Sequence, residues 1–566
     1  MSRLTRRIAQ GAGREAADLV IKNARLLDFI TGTLDVTDIA ICGDVIVGTH
    51  GEYRGVREID GRGKIAVPGF IDTHFHCESS LLTPAHYDRS VLPHGVTTAI
   101  WDPHEIANVM GAEGIAWALD SAEATLMDIH VMLSSCVPSS SLETAAARLE
   151  AADLTPFRGR AKALGLAEFM NFPGVIDAAP AVIAKLDAFA DAHVDGHAPL
   201  LGGLALNAYL AAGIRTDHEC TSAAEALEKL RKGMAVLIRE GSVTKDLAAL
   251  APLITADSAP MLAFCTDDRN PIEVHEEGHL DHSIRKAIRL GARPLDAYRI
   301  ASLSAARIFG LRDRGFIGPG WRADVVLVED LEHCAVSVVI AGGIVVDPEA
   351  FDRRKVVSDI GLASVKARRV SAEDFVIRSA HGPSTPVIGV TPGRIITERL
   401  SMELPMRGTE KLPDPAQGVA KCAVVERHGR SGTIGRGFVH GIGLREGAIA
   451  SSVGHDSHNI AVVGVDDADM AAAVNRLGAI QGGYVVVRGG AVLAELAMPV
   501  GGLMARGPSE AVRAELVPLR AAARSLGCVA EEPFQQVAFL PLPVIPHLKL
   551  TDLGLVDVFA GRFVEV

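Results

Sequence analysis

The chain has 566 residues, 48% apolar and 22% charged, which is ordinary globular usage with enough length for roughly three or four folding units and excludes a disordered chain. Its 56 basic and 69 acidic side chains leave a formal charge of −13, and aromatics are only 4%. Such a surface repels phosphate backbones and has few rings to stack bases on, so nucleic acid is excluded as a partner and small-molecule chemistry or protein binding remains.

In chain order, the N-terminal MSRLTRRIAQGAGREAADLV is basic, but no apolar signal-peptide core follows it. No later stretch of about 18 apolar residues marks a membrane span, so a cytoplasmic location without membrane contact is expected. The eight cysteines are scattered without a CxxC pair, which fits reduced thiols and not a disulfide frame or zinc ribbon.

From Asp18 to about Val67, short β-rich runs such as LVIKNARLLD and DIAICGDVIVG alternate with turns, the pattern of a small antiparallel sheet. The same texture returns at Ile317 to Asp347. Residues 1–67 and 311–365 are therefore expected to join as one discontinuous β-sandwich. Between them, residues 68–310 carry eight strand candidates separated mostly by helical patterns: 69–76, 95–102, 128–136, 161–169, 193–199, 213–219, 234–240 and 260–268. That alternation and length predict a (β/α)8 barrel of the TIM type. An open doubly wound sheet would want a Gly-rich phosphate loop after its first strand, and none is present. The remainder, 366–566, mixes strands such as GGYVVVRGGAVLAEL with the helical DDADMAAAVNRLGAI and reads as an additional α+β domain.

The chemistry-bearing residues fall at strand ends. His74 and His76 are at i and i+2 on the first strand, hence on one face, near the C-terminal end where barrel active sites lie. Glu168 ends the fourth strand, His197 sits on the fifth, His218 on the sixth, and Asp267 near the end of the eighth. Singly, each has a bland reading: a hydrogen-bonded histidine, a loop carboxylate, or, for Asp267 and Asp268, a helix N-cap. Jointly, six ionisable groups at matching strand ends would be costly to bury without a cation. Imidazole plus carboxylate suits Mn2+, Fe2+ or Zn2+, and a central carboxylate can bridge two ions.

The strings PGFIDTHFHCESS and GWRADVVLV resemble the amidohydrolase superfamily. GLAEFMNFPGV, DGHAP, TDHE, CTDDR, HLDHSIRKAI and GHDSHN are similar to the bacterial adenine deaminases over nearly the whole chain. The resemblance implies hydrolytic deamination of adenine to hypoxanthine and ammonia by an enzyme with two divalent ions, expected to be Mn2+ with Fe2+ or Zn2+ as alternatives, and a homodimer. It assigns His74 and His76 to one metal, His197 and His218 to the other, Glu168 as bridge, and Asp267 as metal ligand and proton shuttle. Many binuclear relatives bridge with a lysine on this strand. Here Lys162 shares the parity of Glu168 but lies six residues earlier, too deep to take that place.

Protonation of the purine ring needs a further acid, and the candidates are Asp102, His104 and Glu105 in the DPHE string, and His218. Asp102 and His218 are expected to act catalytically beside Asp267 and Glu168, and His104 and Glu105 are also expected to bind substrate. His455, Asp456 or His458 in GHDSHN is expected to close over the bound purine and exclude water. The plain alternatives are a helix start for DPHE and a polar hairpin turn for GHDSHN. Purine recognition is expected to rest on polar groups and metal more than on ring stacking. Other functional readings are hydantoin or dihydropyrimidine ring opening on the same barrel, disfavoured by Glu168, and a catalytically silent scaffold, disfavoured by six intact ligands. The PCxxC element of cytidine-type deaminases is absent.

Overall fold

Eight short parallel strands occupy the middle of the computed structural model, which describes residues 2–566. They are β1 (Phe70–Phe75), β2 (Val96–Trp101), β3 (Asp128–Leu133), β4 (Ala163–Phe169), β5 (His193–Gly196), β6 (Thr216–Asp217), β7 (Ala235–Arg239) and β8 (Leu262–Cys265). Each lies within one of the eight stretches predicted. β1 to β5 form one hydrogen-bonded sheet and β6 to β8 another. Two junctions close these into a ring. The Arg215 amide donates to the Val194 carbonyl (3.1 Å) between β5 and β6, and Asp267 N to His74 O (3.0 Å) with His76 N to Asp267 O (3.1 Å) joins β8 to β1.

The strands are short apolar runs because helices cover them outside and side chains fill them inside. VTTAIW, AVLIR and LAFC are buried along their whole length. Ile100, Leu237 and Cys265 belong to one packed cluster, and each stands two residues before a polar residue that proves to lie in the site: Asp102, Arg239 and Asp267. On β2, β7 and β8 one inward face thus carries packing deep in the barrel and chemistry at its C-terminal mouth. Lys162 pairs with Asp128, the first residue of β3, and so lies at the opposite end of the barrel from Glu168.

Strands from residues 17–68 join strands from 325–345 in a single eight-stranded sheet, with Val325–Val328 antiparallel to Ile65–Pro68. It is mixed, unlike the antiparallel sheet expected. The segments 55–60 and 65–68 return alongside Ala17–Leu27 in the same direction, after loops that period-two patterning does not orient. A second eight-stranded sheet runs between Ser384 and Ala497, with helices Asp467–Ile480 and Ser509–Ser525 beside it. Among the described residues no helix is long and apolar enough to cross a membrane.

Close strand approach makes one glycine indispensable. A Cβ on Gly196 would stand 2.3 Å from the Thr216 carbonyl oxygen and 2.8 Å from Ile214 Cγ2, so any side chain forces β5 away from β6. We expect Gly196→Ala to cost about 1–3 kcal/mol of stability, the usual penalty of overpacking, and to displace His197. Thermal denaturation checks this, and an unchanged melting temperature contradicts it.

Candidate metal centre and active site

His74 and His76 approach through their Nε2 atoms at 3.2 Å. The Nδ1 of His74 is held by Asp195 Oδ2 at 3.1 Å, and that of His76 by the Asp102 carbonyl at 3.0 Å. With each Nδ1–H committed to an oxygen, both Nε2 atoms turn bare lone pairs toward one another. Two lone pairs at that distance need a shared cation or an added proton between them.

Glu168 separates its oxygens. Oε1 lies 3.5 Å from His76 Nε2 and 3.8 Å from His74 Nε2, whereas Oε2 lies 2.7 Å from His197 Nδ1 and 3.3 Å from His218 Nε2. Asp267 Oδ1 stands 3.1 Å from His76 Nε2 and 3.9 Å from His74 Nε2. His74, His76 and Asp267 form one potential metal-holding group, and Glu168, His197 and His218 another. All six residues expected to hold metal are thus brought together, and all are buried. Asn270, not Asp267 or Asp268, caps the following helix, so the bland reading of that pair falls away.

Charge makes the same point. Glu105, Glu168, Glu219, Asp267, Asp268 and Asp456 border the central space with Arg239 as their one guanidinium. Burial raises the proton affinity of Glu168, but the charges and hydrogen bonds of His197 and His218 outweigh it and hold the carboxyl well below its usual range. Burial also opposes charging of His218, yet Glu168 pushes it up to about 10. The histidines are here answering a demand for positive charge that divalent ions would meet, and the nitrogen and oxygen donors fit such ions.

The second group of expected residues surrounds the outer half of the site. Asp102 Oδ2 accepts from His104 Nδ1 at 3.0 Å, and His104 Nδ1 is also 3.4 Å from Glu168 Oε1. His104 opens a helix, His104–Met110, as the plain reading of DPHE expects, and its ring also lies beside Glu168. GHDSHN joins two antiparallel strands, Ala448–Ser451 and Ile460–Gly464, and is a hairpin connection, but a wholly buried one. His455 Nδ1 lies 3.4 Å from Glu105 Oε1, and Asp456 Oδ1 lies 3.8 Å from His104 Nε2. His458 lies beside this layer: its ring centroid is 5.6 Å from that of His455, its Nδ1 accepts from the Gly454 amide, and with Glu105 and His455 it forms a further group that could hold a metal ion.

Several site residues escaped the sequence reading: Asp195 behind His74, Glu219 and Arg239 beside Asp267, Asp268, and the apolar roof. Asp195 alone had a signal, lying on β5 two residues before His197 and with the same parity. Phe539, from the C-terminal region, stacks on His455 at 4.5 Å and borders the space. The space between these groups measures about 40 Å3, room for a water or so and not for a purine.

The family model for amidohydrolases matches residues 65–346, and the adenine deaminase C-terminal domain matches residues 394–562. Adenine deaminase of Methylobacterium nodulans is 66% identical over 555 residues, 98% of each chain. The chain belongs to the adenine deaminase family. Another member, adenine deaminase of Gluconobacter oxydans, is 62% identical over 562 residues, 99% of each chain. Among solved structures, N-acetyl-D-glucosamine-6-phosphate deacetylase of Mycobacterium smegmatis covers 58% of this chain and all of its own, with 18% identity and a TM-score of 0.45.

Asp195 offers the test of the lone-pair argument. Outer partners of this kind are worth about 10- to 100-fold in metal affinity. We expect Asp195→Ala to lower affinity for a divalent ion by that factor, read by competition with a chromogenic chelator. Wild-type affinity in the variant contradicts it.

Proposed function

We propose that this adenine deaminase family member hydrolyses adenine to hypoxanthine and ammonia at a centre of two divalent ions. The observation that carries the reading is the division of Glu168 between the His74–His76 pair and the His197–His218 pair. A carboxylate so placed favours deamination over the hydantoin and dihydropyrimidine chemistries, whose enzymes carry a lysine on this strand. His74, His76 and Asp267 would hold one ion and His197 and His218 the other, with Glu168 shared. Mn2+ is our first assignment, and the same donors accept Fe2+ or Zn2+. When bound, the ions supply Lewis-acid activation of the hydrolytic water at neutral pH.

The chain's own groups do the rest. Asp267 accepts the water's proton on Oδ1 and returns it to the leaving nitrogen after attack at C6 has made that carbon tetrahedral. His218, stacked on His74 at 4.0 Å, keeps Glu168 Oε2 directed toward the second pair. Asp102 fixes the His104 ring by accepting from its Nδ1. Glu105 Oε2 and Asp456 Oδ2 are buried acceptors lacking a donor, and adenine brings N–H groups to satisfy them. Burial works against a charge on His455, but Asp456, Glu105 and Asp268 raise it to about 9, so its ring donates to a purine nitrogen at neutral pH. His458 lies beside His455 and supports it.

An ultraviolet assay of adenine conversion to hypoxanthine tests the activity. We expect chelation to abolish it and Mn2+ to restore it. Asp267→Asn is expected to lower kcat by about 10²- to 10⁴-fold, the range for loss of a general acid–base group. Chelated protein that retains full turnover, or Asp267→Asn with wild-type kcat, overturns this assignment.

A further inference from the structure

Arg239 ends β7, and its guanidinium is among the largest fully buried side chains. It touches three carboxylates. Nη1 donates to Asp267 Oδ2 at 2.8 Å, Nη1 and Nη2 both face the Glu219 carboxylate, and Nε donates to Asp246 Oδ2 at 3.1 Å. Neither Asp267 nor Glu219 stops there. Asp267 turns its other oxygen, Oδ1, to His76 and His74, and Glu219 Oε1 lies 3.6 Å from His218 Nε2 and 3.8 Å from His197 Nδ1. One planar fork therefore reaches both histidine pairs, through a different carboxylate in each case.

We infer that Arg239 is a positioning residue that braces the two halves of the metal centre against one another, through carboxylates other than Glu168. The inference rests on the reading of the two histidine pairs as metal subsites. Its physical basis is geometric. Asp267 has φ of +57°, a left-handed conformation costly for a residue with a Cβ, and such an outlier at a site marks a position held by its surroundings. Backbone bonds to His74 and His76 hold its main chain. Arg239 supplies the remaining restraint by occupying Oδ2, so that only Oδ1 is presented to the histidines.

A guanidinium meets this task because its donors are fixed in a plane and serve several carboxylates at once. Lysine preserves the charge but concentrates it at one point. It can satisfy Asp267 or Glu219, not hold the distance between them. Asp246, by contrast, meets Arg239 only at Nε, outside the histidine contacts, and separates a bracing role from simple charge burial.

The test compares Arg239→Lys, Glu219→Gln and Asp246→Asn as Mn2+-loaded full-length proteins. Three readouts are taken: adenine turnover, the rate of Mn2+ loss to a chelator, and the electron paramagnetic resonance spectrum. Arg239→Lys is expected to lower kcat by about 10²-fold or more with KM for adenine within threefold. It is also expected to release one equivalent of Mn2+ at least tenfold faster, and to replace the signal of spin-coupled Mn2+ by that of isolated ions. Glu219→Gln, which keeps side-chain volume, is expected to show the same spectral change in weaker form and serves if Arg239→Lys fails to fold. Asp246→Asn is expected to lower thermal stability and leave the spectrum and metal release as in wild type. Wild-type spectrum and metal release in folded Arg239→Lys, or in Glu219→Gln should that one alone fold, overturn the brace. So does an Asp246→Asn variant that loses metal as fast as the other two. Wild-type protein that takes up one Mn2+ or none overturns instead the two-subsite reading on which the brace depends.

Discussion

Six carboxylates around a space of about 40 Å3, with one guanidinium among them, are an electrostatic load that a folded chain does not assemble without compensation. Each buried carboxylate costs several kcal/mol unless it is paired. Positive charge has to be imported or drawn from the histidines. The responses of neighbouring groups follow from that single constraint: Glu168 is held ionised, His218 and His455 are pushed toward their charged forms, and Arg239 is divided among three acids. Divalent ions relieve the same load with fewer particles, and they explain why two imidazole lone pairs are aimed at one another.

The barrel makes such a concentration affordable by separating functions along its strands, most plainly on β2, β7 and β8. Deep in the ring, Ile100, Leu237 and Cys265 contribute to a packed cluster. Two residues further on, the same inward face presents Asp102, Arg239 and Asp267. The hydrophobic part supplies the folding energy, and the mouth, where strands end and loops begin, tolerates groups that would destabilise a core. A second layer then fixes orientation. Asp195 sets the tautomer of His74, Asp102 carries the rings of His76 and His104, and Thr266 donates to Asp72 beneath Asp267. The ligands are consequently held by rigid strands and their immediate ends, where precision is greatest.

Much of this was legible in the sequence because it is periodic. His74 and His76 share a face by the arithmetic of a strand, and Glu168, His197, His218 and Asp267 fall at recurring strand ends, so the pattern could be read without coordinates. What was not legible depends on which strands become neighbours across the ring. Arg239 is the penultimate residue of the run MAVLIRE, and nothing local marks it, because the two carboxylates through which it reaches the histidines lie 20 and 28 residues away in sequence. The GHDSHN segment was conspicuous by composition, yet only the hairpin between Ala448–Ser451 and Ile460–Gly464 says which of its residues faces the barrel. His455 and Asp456 border the pocket, whereas His458 stands next to them without lining it. The roof was invisible for the opposite reason: Phe539, Leu542 and Ile545 are ordinary apolar residues whose role comes from position alone.

That roof links the C-terminal region to the chemistry. Val243 from the barrel, with Ile395, Phe539, Leu542 and Ile545 from the C-terminal region, forms a small buried cluster of its own. Beyond it lies a cavity of about 700 Å3 that shares Glu219, Arg239, Thr244, Ile395 and Ile545 with the metal pocket. A purine has no room in the metal pocket and ample room in the neighbouring cavity. By keeping water from the acidic groups beneath it, the cluster strengthens their charge interactions through the lower local dielectric. The apolar roof and the acidic floor thus depend on one another, since the floor's field is useful only while the roof keeps solvent from screening it.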